Sequence, residues 1–149
     1  FNSHITCYNF YDIFNKRCFN DYQKIAVVRN PWDRMVSRYF YSKKINKKFK
    51  DFTFDEFINF DIKNNIHVLN QYRFCTKDKK NFCIDKVIKF ENLNRDFNEI
   101  SLNIYGKKGL LKHSNRTEHD KYRDYYNEEL KNKIYKNFKE DLDFFDYEF

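Results

Sequence analysis

The chain has 149 residues, the length of one domain, and its net charge of +7 at pH 7 favours an anionic partner. Aromatic residues make up 21% of it, whereas it has only 2 Gly and 1 Pro, a composition that excludes a loop-dominated or disordered chain. No apolar stretch approaches the roughly 20 residues that span a membrane, and no secretory signal opens the sequence, so we expect a chain that is soluble as given.

The first predicted element is a helix close to the amino terminus. Asn2 or Ser3 can cap it, and residues at helical spacing form its apolar face: Ile5, Tyr8, Phe10, Ile13 and Phe14. His4 stands at its beginning, a place where a lone His is most often a cap or a surface residue.

Residues 24–39 are predicted to join a strand to a helix through a cationic turn. Residues 25–28 are apolar and rich in β-branched side chains, which is typical of a strand covered on both faces. Pro31 pushes Asn30 out of the helical region and presets φ for a first helical turn. Apolar residues then recur at helical spacing: Met35, Val36, Tyr39 and Phe40.

Two side chains of this unit can converge on one phosphate. Arg29 follows the strand, at the sheet edge where open α/β folds bind ligands, and Ser37 lies two turns into the helix. Arg presents a planar fork to phosphate oxygens, and the Ser hydroxyl adds a compact donor. The alternative is that Arg29 pairs with Asp33 or another surface carboxylate, and that Ser37 is merely tolerated in the helix.

Residues 27–39, Val-Val-Arg-Asn-Pro-Trp-Asp-Arg-Met-Val-Ser-Arg-Tyr, resemble the 3′-phosphate-binding motif of sulfotransferases that use 3′-phosphoadenosine-5′-phosphosulfate (PAPS), in the Golgi carbohydrate-type branch and its bacterial relatives. Residues 87–96 resemble that family's strand followed by Glu-x-Leu-x-x-Asp, and residues 122–130 resemble its tyrosine-rich carboxyl-terminal helix. The resemblance implies an α/β, P-loop-NTPase-like three-layer sulfotransferase fold, with a short parallel sheet flanked by helices, in a single domain over residues 1–149.

The resemblance also implies roles for individual residues. Arg29 and Ser37 correspond to the residues that hold the 3′-phosphate of PAPS, and His4 corresponds to a candidate general base for the acceptor hydroxyl. The family's first strand and its loop for the 5′-phosphosulfate have no counterpart before residue 24. We therefore expect an N-terminally truncated fold that is the remainder of a longer protein. The alternative is that the sulfate end of PAPS is held in an unfamiliar way.

Further along the chain, Thr53 is predicted to cap a short helix, with Glu56 completing a capping box. His67 and Gln71 stand one helical turn apart in a segment of uncertain structure. The resemblance places these two residues close to the acceptor site, whereas a purely structural role is equally open.

A second buried strand is predicted at residues 87–90, followed by a helix over residues 93–104. Glu91 ends this strand, at the same sheet edge as Arg29 if the strands are parallel, which a helical crossover favours. Glu91 can then orient Arg29 or another base. The alternative is an ordinary carboxylate at a helix start, where the helix dipole favours it.

The loop at residues 106–117 has no Walker pattern. The resemblance makes its basic part the region that closes over the nucleotide, with Asn115 and Arg116 as cofactor-binding candidates beside Lys112 and His113. A solvated basic loop is the alternative. Asn127 is predicted to cap a last helix that runs from Glu128 to about Phe144, with an aromatic core stripe.

The four cysteines form no Cys-x-x-Cys pair and show no zinc-type His spacing, so the sequence predicts no metal site. Cys75 and Cys83 flank a polar run and can close a small loop, worth roughly 2–3 kcal/mol if oxidised. The resembled family often has two cysteines just before this strand. Reduced buried thiols are the alternative.

The resemblance implies sulfuryl transfer from PAPS to a hydroxyl of a carbohydrate acceptor, a scheme that requires no metal. A non-catalytic module that binds an anionic glycan or nucleotide is the main alternative. A nucleic-acid-binding domain ranks lower because the sequence has no RNA- or DNA-binding signature. Membrane attachment is expected only through a segment absent from this chain, in the Golgi if the source is eukaryotic, whereas a bacterial source implies the cytoplasm.

Overall fold

The computed structural model describes residues 6–13, 16–64, 70–76, 81–111 and 117–149, apart from the side chains of residues 8, 12 and 16–18. In chain order the described elements are α1 (Cys7–Ile13), α2 (Lys16–Asp21), β1 (Ile25–Val28), α3 (Pro31–Ile45), α4 (Phe54–Lys63), α5 (Gln71–Phe74), β2 (Lys86–Lys89), α6 (Leu93–Tyr105), α7 (Glu128–Asn137) and α8 (Lys139–Phe145). Short 3₁₀ helices lie at Lys47–Phe49, Phe90–Asn92 and Tyr122–Tyr125. Helices combined with a parallel strand pair make this an α/β protein, as the sequence predicted.

The chain divides into two compact units. The first consists of Phe1–Val28 and Asn70–Leu110, and the second of Arg29–Leu69 and Leu111–Phe149. The division therefore falls between β1 and the turn that leads to α3. A single functional domain over residues 1–149 stays a prediction.

The first unit is built on the strand pair. β1 and β2 run parallel, with Ile25 opposite Lys86 and Val28 opposite Lys89, as the crossover rule predicted. Val28 and Ile88 are buried, but Ile25 is 37% exposed and Val27 51% exposed. The prediction of a strand covered on both faces is thus wrong for the described residues, because alternate side chains point to opposite faces and only the Val28 face of β1 is buried.

A disulfide joins α1 to the segment that precedes β2. It links Cys7 to Cys83 across 76 residues of sequence, while Cys75 is buried and is not part of a disulfide. The predicted closure of a small loop by Cys75 and Cys83 is therefore corrected. The folded chain brings Cys7 of α1 next to Cys83, and the spacing of the cysteines in the sequence does not indicate this contact.

The second unit packs around α3. Its core consists of apolar side chains from α3, α4, α7 and α8, together with Phe138 between α7 and α8: Trp32, Met35, Val36, Tyr39, Phe54, Phe57, Ile58, Leu130, Ile134, Phe138 and Leu142. The cap predicted at Asn127 is present, since Asn127 Oδ1 accepts from Leu130 N at 2.8 Å. Asn30, which the sequence placed outside the helical region, also caps α3: its Oδ1 accepts from Trp32 N at 3.0 Å. Thr53 and Glu56 form the predicted capping box.

Two elements of the second unit differ from the sequence prediction. The helix expected from Glu128 to about Phe144 is broken at Phe138, which has φ −116° and ψ 24° and separates α7 from α8. The tyrosine-rich segment 122–130 is not one helix, because Tyr126 is extended between a 3₁₀ helix and the start of α7. Asn127 explains the second difference, since its side chain caps a new helix there.

Two ion pairs, each with a buried carboxylate, connect α3 to the neighbouring helices α8 and α4. Arg34 lies 3.9 Å from Asp141 of α8, and Arg38 lies 3.5 Å from Asp61 of α4. Asp141 is 0% exposed and Asp61 is buried. Arg34 also lies over the ring of Phe138, with 4.9 Å from Cζ to the ring centroid.

Candidate active site

Arg29 lies in the turn before α3, and its side chain reaches Asp33 in the first turn of that helix. Arg29 Nε donates to Asp33 Oδ2 at 2.6 Å, and both side chains are about four-fifths buried. This is the carboxylate pairing that the sequence left open. It does not by itself exclude a phosphate, because a guanidinium carries five N–H donors and this contact uses the one on Nε.

Asp33 and Ser37 lie one helical turn apart on α3 and therefore share a face. Phe40 continues that face by a further turn. We call Asp33, Ser37 and Phe40 the Ser37 face of α3. Since Arg29 pairs with Asp33, its guanidinium lies at the amino-terminal end of this face.

The segment after residue 116 packs on the Ser37 face. Thr117 Oγ1 lies 3.4 Å from Ser37 Oγ, and either hydroxyl can donate. His119 stacks on Phe40 with ring centroids 5.4 Å apart, and Tyr125 meets Phe40 edge-on at 5.4 Å. These ring contacts hold the segment on α3, so the pairing of the two hydroxyls does not depend on their own weak bond.

Thr117 is a candidate site residue that the sequence did not single out. It lies 80 positions from Ser37, and a lone Thr in a basic loop carries no distinguishing pattern. The one signal was its place directly after Arg116, in the loop that the resemblance assigned to the nucleotide.

Tyr126 connects the segment that follows Thr117 to the start of α3. Its hydroxyl donates to the Trp32 carbonyl at 2.9 Å. Burial, with smaller contributions from the negative charge of Asp33 and from Tyr122, raises the pKa of Tyr126 far above its ordinary value. Tyr126 is therefore a neutral hydrogen-bond donor at physiological pH.

Two other predicted residues belong to the first unit. Gln71 opens α5 and lines a cavity of about 450 Å³, whose wall also includes Phe10, Phe19, Phe74 and the residues of β1. Glu91 lies in the 3₁₀ helix Phe90–Asn92, directly after β2, and is exposed. The remaining candidates, His4, His67, Asn115 and Arg116, with Lys112 and His113, lie outside the described residues.

Among the described residues no group of three His, Cys, Asp or Glu side chains could hold a metal ion. None of the helices that the structure describes is long and apolar enough to cross a membrane.

Comparison with known proteins decides the family. The sulfotransferase family model matches residues 3–148, which is nearly the whole chain. The chain belongs to the sulfotransferase family.

The sulfotransferase is also similar to an uncharacterized protein of Archaeoglobus fulgidus. The two are 30% identical over 110 residues, which cover 72% of this chain and 88% of the relative. No solved structure matches. Family membership makes this chain a transferase of the sulfotransferase type, and it agrees with the α/β fold described above.

Proposed function

We propose that this sulfotransferase moves a sulfuryl group from PAPS to a hydroxyl of a carbohydrate acceptor. The observation that carries the proposal is the Ser37 face of α3, which has a cationic side chain at one end and paired hydroxyls at its middle. Such a set fits a phosphate dianion, because the guanidinium supplies charge and planar N–H donors and the hydroxyls supply further donors.

In this proposal Arg29 and Ser37 bind the 3′-phosphate of PAPS. The donor supplies the activated sulfuryl group and needs no metal for that. Asn115 and Arg116, from the segment that leads into Thr117, are proposed to close over the nucleotide. Asp33 holds Arg29 at the end of the face through the 2.6 Å contact, so the guanidinium is ordered before the phosphate arrives.

The reaction forms an S–O bond to the acceptor oxygen and breaks the S–O bond to the bisphosphate. The acceptor proton must leave in the same process, and we assign its removal to His4. Positioning and charge stabilisation carry most of the barrier lowering in transfers of this kind. His67 and Gln71 are proposed to bind the acceptor, and Glu91 to orient a neighbouring cation or base.

Calorimetric binding of adenosine 3′,5′-bisphosphate tests the phosphate assignment. One Arg–phosphate contact is worth roughly 1.5–3 kcal/mol. We therefore expect Arg29→Ala to weaken binding by about tenfold to a hundredfold. Ser37→Ala should weaken it by about fivefold, since a neutral donor contributes less.

Two control variants separate binding from structure. Arg95→Ala removes an arginine whose side chain is 72% exposed, and it should leave the affinity unchanged. Asp33→Asn keeps the charge of Arg29 but removes its ion pair. If Asp33→Asn weakened binding as much as Arg29→Ala, Arg29 would act only through its ion pair. Absence of binding by the folded chain would contradict the proposal itself.

Transfer itself is tested with radiolabelled PAPS and a panel of carbohydrate acceptors. Labelled product that depends on Arg29 would support the enzyme assignment. Bisphosphate binding without transfer to any acceptor class would instead favour a non-catalytic nucleotide-binding module.

A further inference from the structure

Three cysteines of the first unit meet at one place. Cys7 and Cys83 are bonded, and Cys75 is a buried thiol. The sulfur of Cys83 lies 3.3 Å from the carbonyl oxygen of Cys75. Cys7 and Cys75 also line the same cavity. The Cys7–Cys83 disulfide and the Cys75 thiol are thus neighbours in the fold, although Cys7 is far from Cys75 and Cys83 in sequence.

The backbone sets Cys75 directly opposite Cys83. Thr76 and Phe82 form an antiparallel bridge, and Cys83 N donates to the Cys75 carbonyl at 2.9 Å. Hydrogen-bonded opposite residues of an antiparallel pair have Cα atoms about 5.5 Å apart. That separation lies within the roughly 4.4–6.8 Å range that disulfides span. Cys83 can therefore reach Cys75 without a change in backbone pairing.

We propose that Cys83 exchanges its disulfide partner between Cys7 and Cys75, so that the fold contains a thiol–disulfide switch. The Cys75 thiol loses its proton to solvent, and the thiolate attacks the sulfur of Cys83. The new Cys75–Cys83 bond forms as the Cys7–Cys83 bond breaks, and Cys7 leaves as a thiolate that takes up a proton. One disulfide and one thiol are present before and after, so no external oxidant or reductant is needed.

The two pairings constrain different parts of the chain. The Cys7–Cys83 bond ties α1 to the segment before β2, whereas a Cys75–Cys83 bond closes only a local loop. The exchange therefore releases α1 while it leaves the parallel pairing of β1 and β2 in place. This makes α1 the bistable element that the switch controls.

Disulfide mapping tests the exchange in the full chain with Cys18→Ser, which removes the one other cysteine. The protein is oxidised, held at acidic pH, moved to pH 8 without added thiol, and then quenched with acid and alkylated for peptide mass spectrometry. We expect the Cys75–Cys83 form to appear with Cys7 alkylated. Its rate should not depend on protein concentration, and it should rise about tenfold per pH unit below the pKa of the attacking thiol.

Single variants in the same background make the test independent of which pairing dominates. In a glutathione buffer, Cys75→Ser should contain only Cys7–Cys83 and Cys7→Ser only Cys75–Cys83. Cys83→Ser should leave both remaining thiols reduced. Circular dichroism establishes that each variant is folded. The proposal is overturned if folded Cys7→Ser stays fully reduced in a buffer that oxidises Cys75→Ser, or if Cys75 is the alkylated residue at every time point.

Hydrogen exchange reads out the consequence. The amides of α1 should lose protection in Cys7→Ser and keep it in Cys75→Ser, whereas the amides of β1 and β2 should be protected in both. Equal protection of α1 in the two variants would show that the bond does not control this helix.

Discussion

Ser37 and Thr117 place two hydroxyl groups 3.4 Å apart, from residues 80 positions apart in the chain. If this pair helps to bind a phosphate, removal of one hydroxyl should matter more than removal of one methyl group. We expect Thr117→Val to weaken binding of adenosine 3′,5′-bisphosphate by about fivefold, a cost near 1 kcal/mol for one neutral donor. Thr117→Ser should keep the affinity within about twofold of the original chain. Calorimetry measures both.

The melting temperatures of the same two variants act as the control. Thr117 is partly exposed, so loss of its hydroxyl should change stability little. Equal affinities of Thr117→Val and Thr117→Ser would show that the hydroxyl has no part in binding.

At the residue scale, the sequence predicted contacts between residues that are close in the chain, but not contacts that depend on the fold bringing distant residues together. Arg29 has a carboxylate four residues later, and the pairing with Asp33 was one of two stated possibilities. Thr117 was not found, because nothing in its neighbourhood in sequence refers to Ser37. The partner of Cys83 was missed for the same reason: the sequence offered a bond to Cys75 or reduced thiols, and the fold brings Cys7 to Cys83 instead.

The capping box of α4 makes the stability of that helix depend on pH. Hydrogen bonds from the backbone N–H and the side chain of Thr53 lower the pKa of Glu56 below its ordinary value of 4.5. The stabilisation is therefore fully present above pH 4.5 and is lost as the pH falls through the lowered pKa of the folded state. Hydrogen exchange of the α4 amides between pH 6 and pH 3 should show this loss of protection.

Glu56→Gln is the matched variant for that experiment. Glutamine has no carboxylate to protonate, so the pH-dependent part of the protection of α4 should disappear. Glu118→Gln, at an exposed position outside α4, should leave it unchanged. Persistence of the full pH dependence in Glu56→Gln would place its origin elsewhere in the unit.

Several elements could be predicted from the local sequence, because one or two side chains determine where each of them begins. Residues 25–28 form the predicted strand, and Asn30, Thr53 and Asn127 each cap the helix that follows. The break at Phe138 could not be read, because the apolar spacing of α7 continues into α8 without a change of phase. Phe138 is fully buried at the break, so tertiary packing fixes the bend there.

The buried carboxylate of Asp141 gives a prediction for the second unit as a whole. Its partner Arg34 lies 3.9 Å from the carboxylate, and the attraction between the two charges partly offsets the cost of burying them. Burial lowers the pKa of Arg34, while the charge of Asp141 acts in the opposite direction. Asp141→Leu leaves the cation beside an apolar neighbour, which should lower the free energy of unfolding by about 3 kcal/mol. Urea denaturation followed by circular dichroism measures the change.

The double variant Arg34→Met/Asp141→Leu separates the two contributions. A packed apolar pair of similar volume should recover most of the lost stability, because no charge then remains buried without its partner. If the double variant were less stable than Asp141→Leu alone, packing by Arg34 against Phe138 would outweigh the cost of its charge.

At the scale of the molecule, composition correctly indicated an aromatic core, while the α/β class followed from the strand–turn–helix pattern and the family resemblance. It could not indicate that contacts gather into two compact units, each built from two separate stretches of the sequence. Charge runs and Gly or Pro clusters mark linkers, and the chain has neither at the division between Val28 and Arg29. The boundary there interrupts a strand–turn–helix motif that is continuous in sequence.

Trp32 is the one tryptophan of the chain, and it belongs to the second unit. It is 3% exposed, its Nε1 donates to the Lys131 carbonyl at 3.2 Å, and it meets the Phe149 ring edge-on. Its indole emission should shift to the red when that unit unfolds, whereas far-ultraviolet circular dichroism follows the helices of both units. The indole thus gives one unit its own optical label, and coincident midpoints of the two signals would show that both units melt in a single cooperative step.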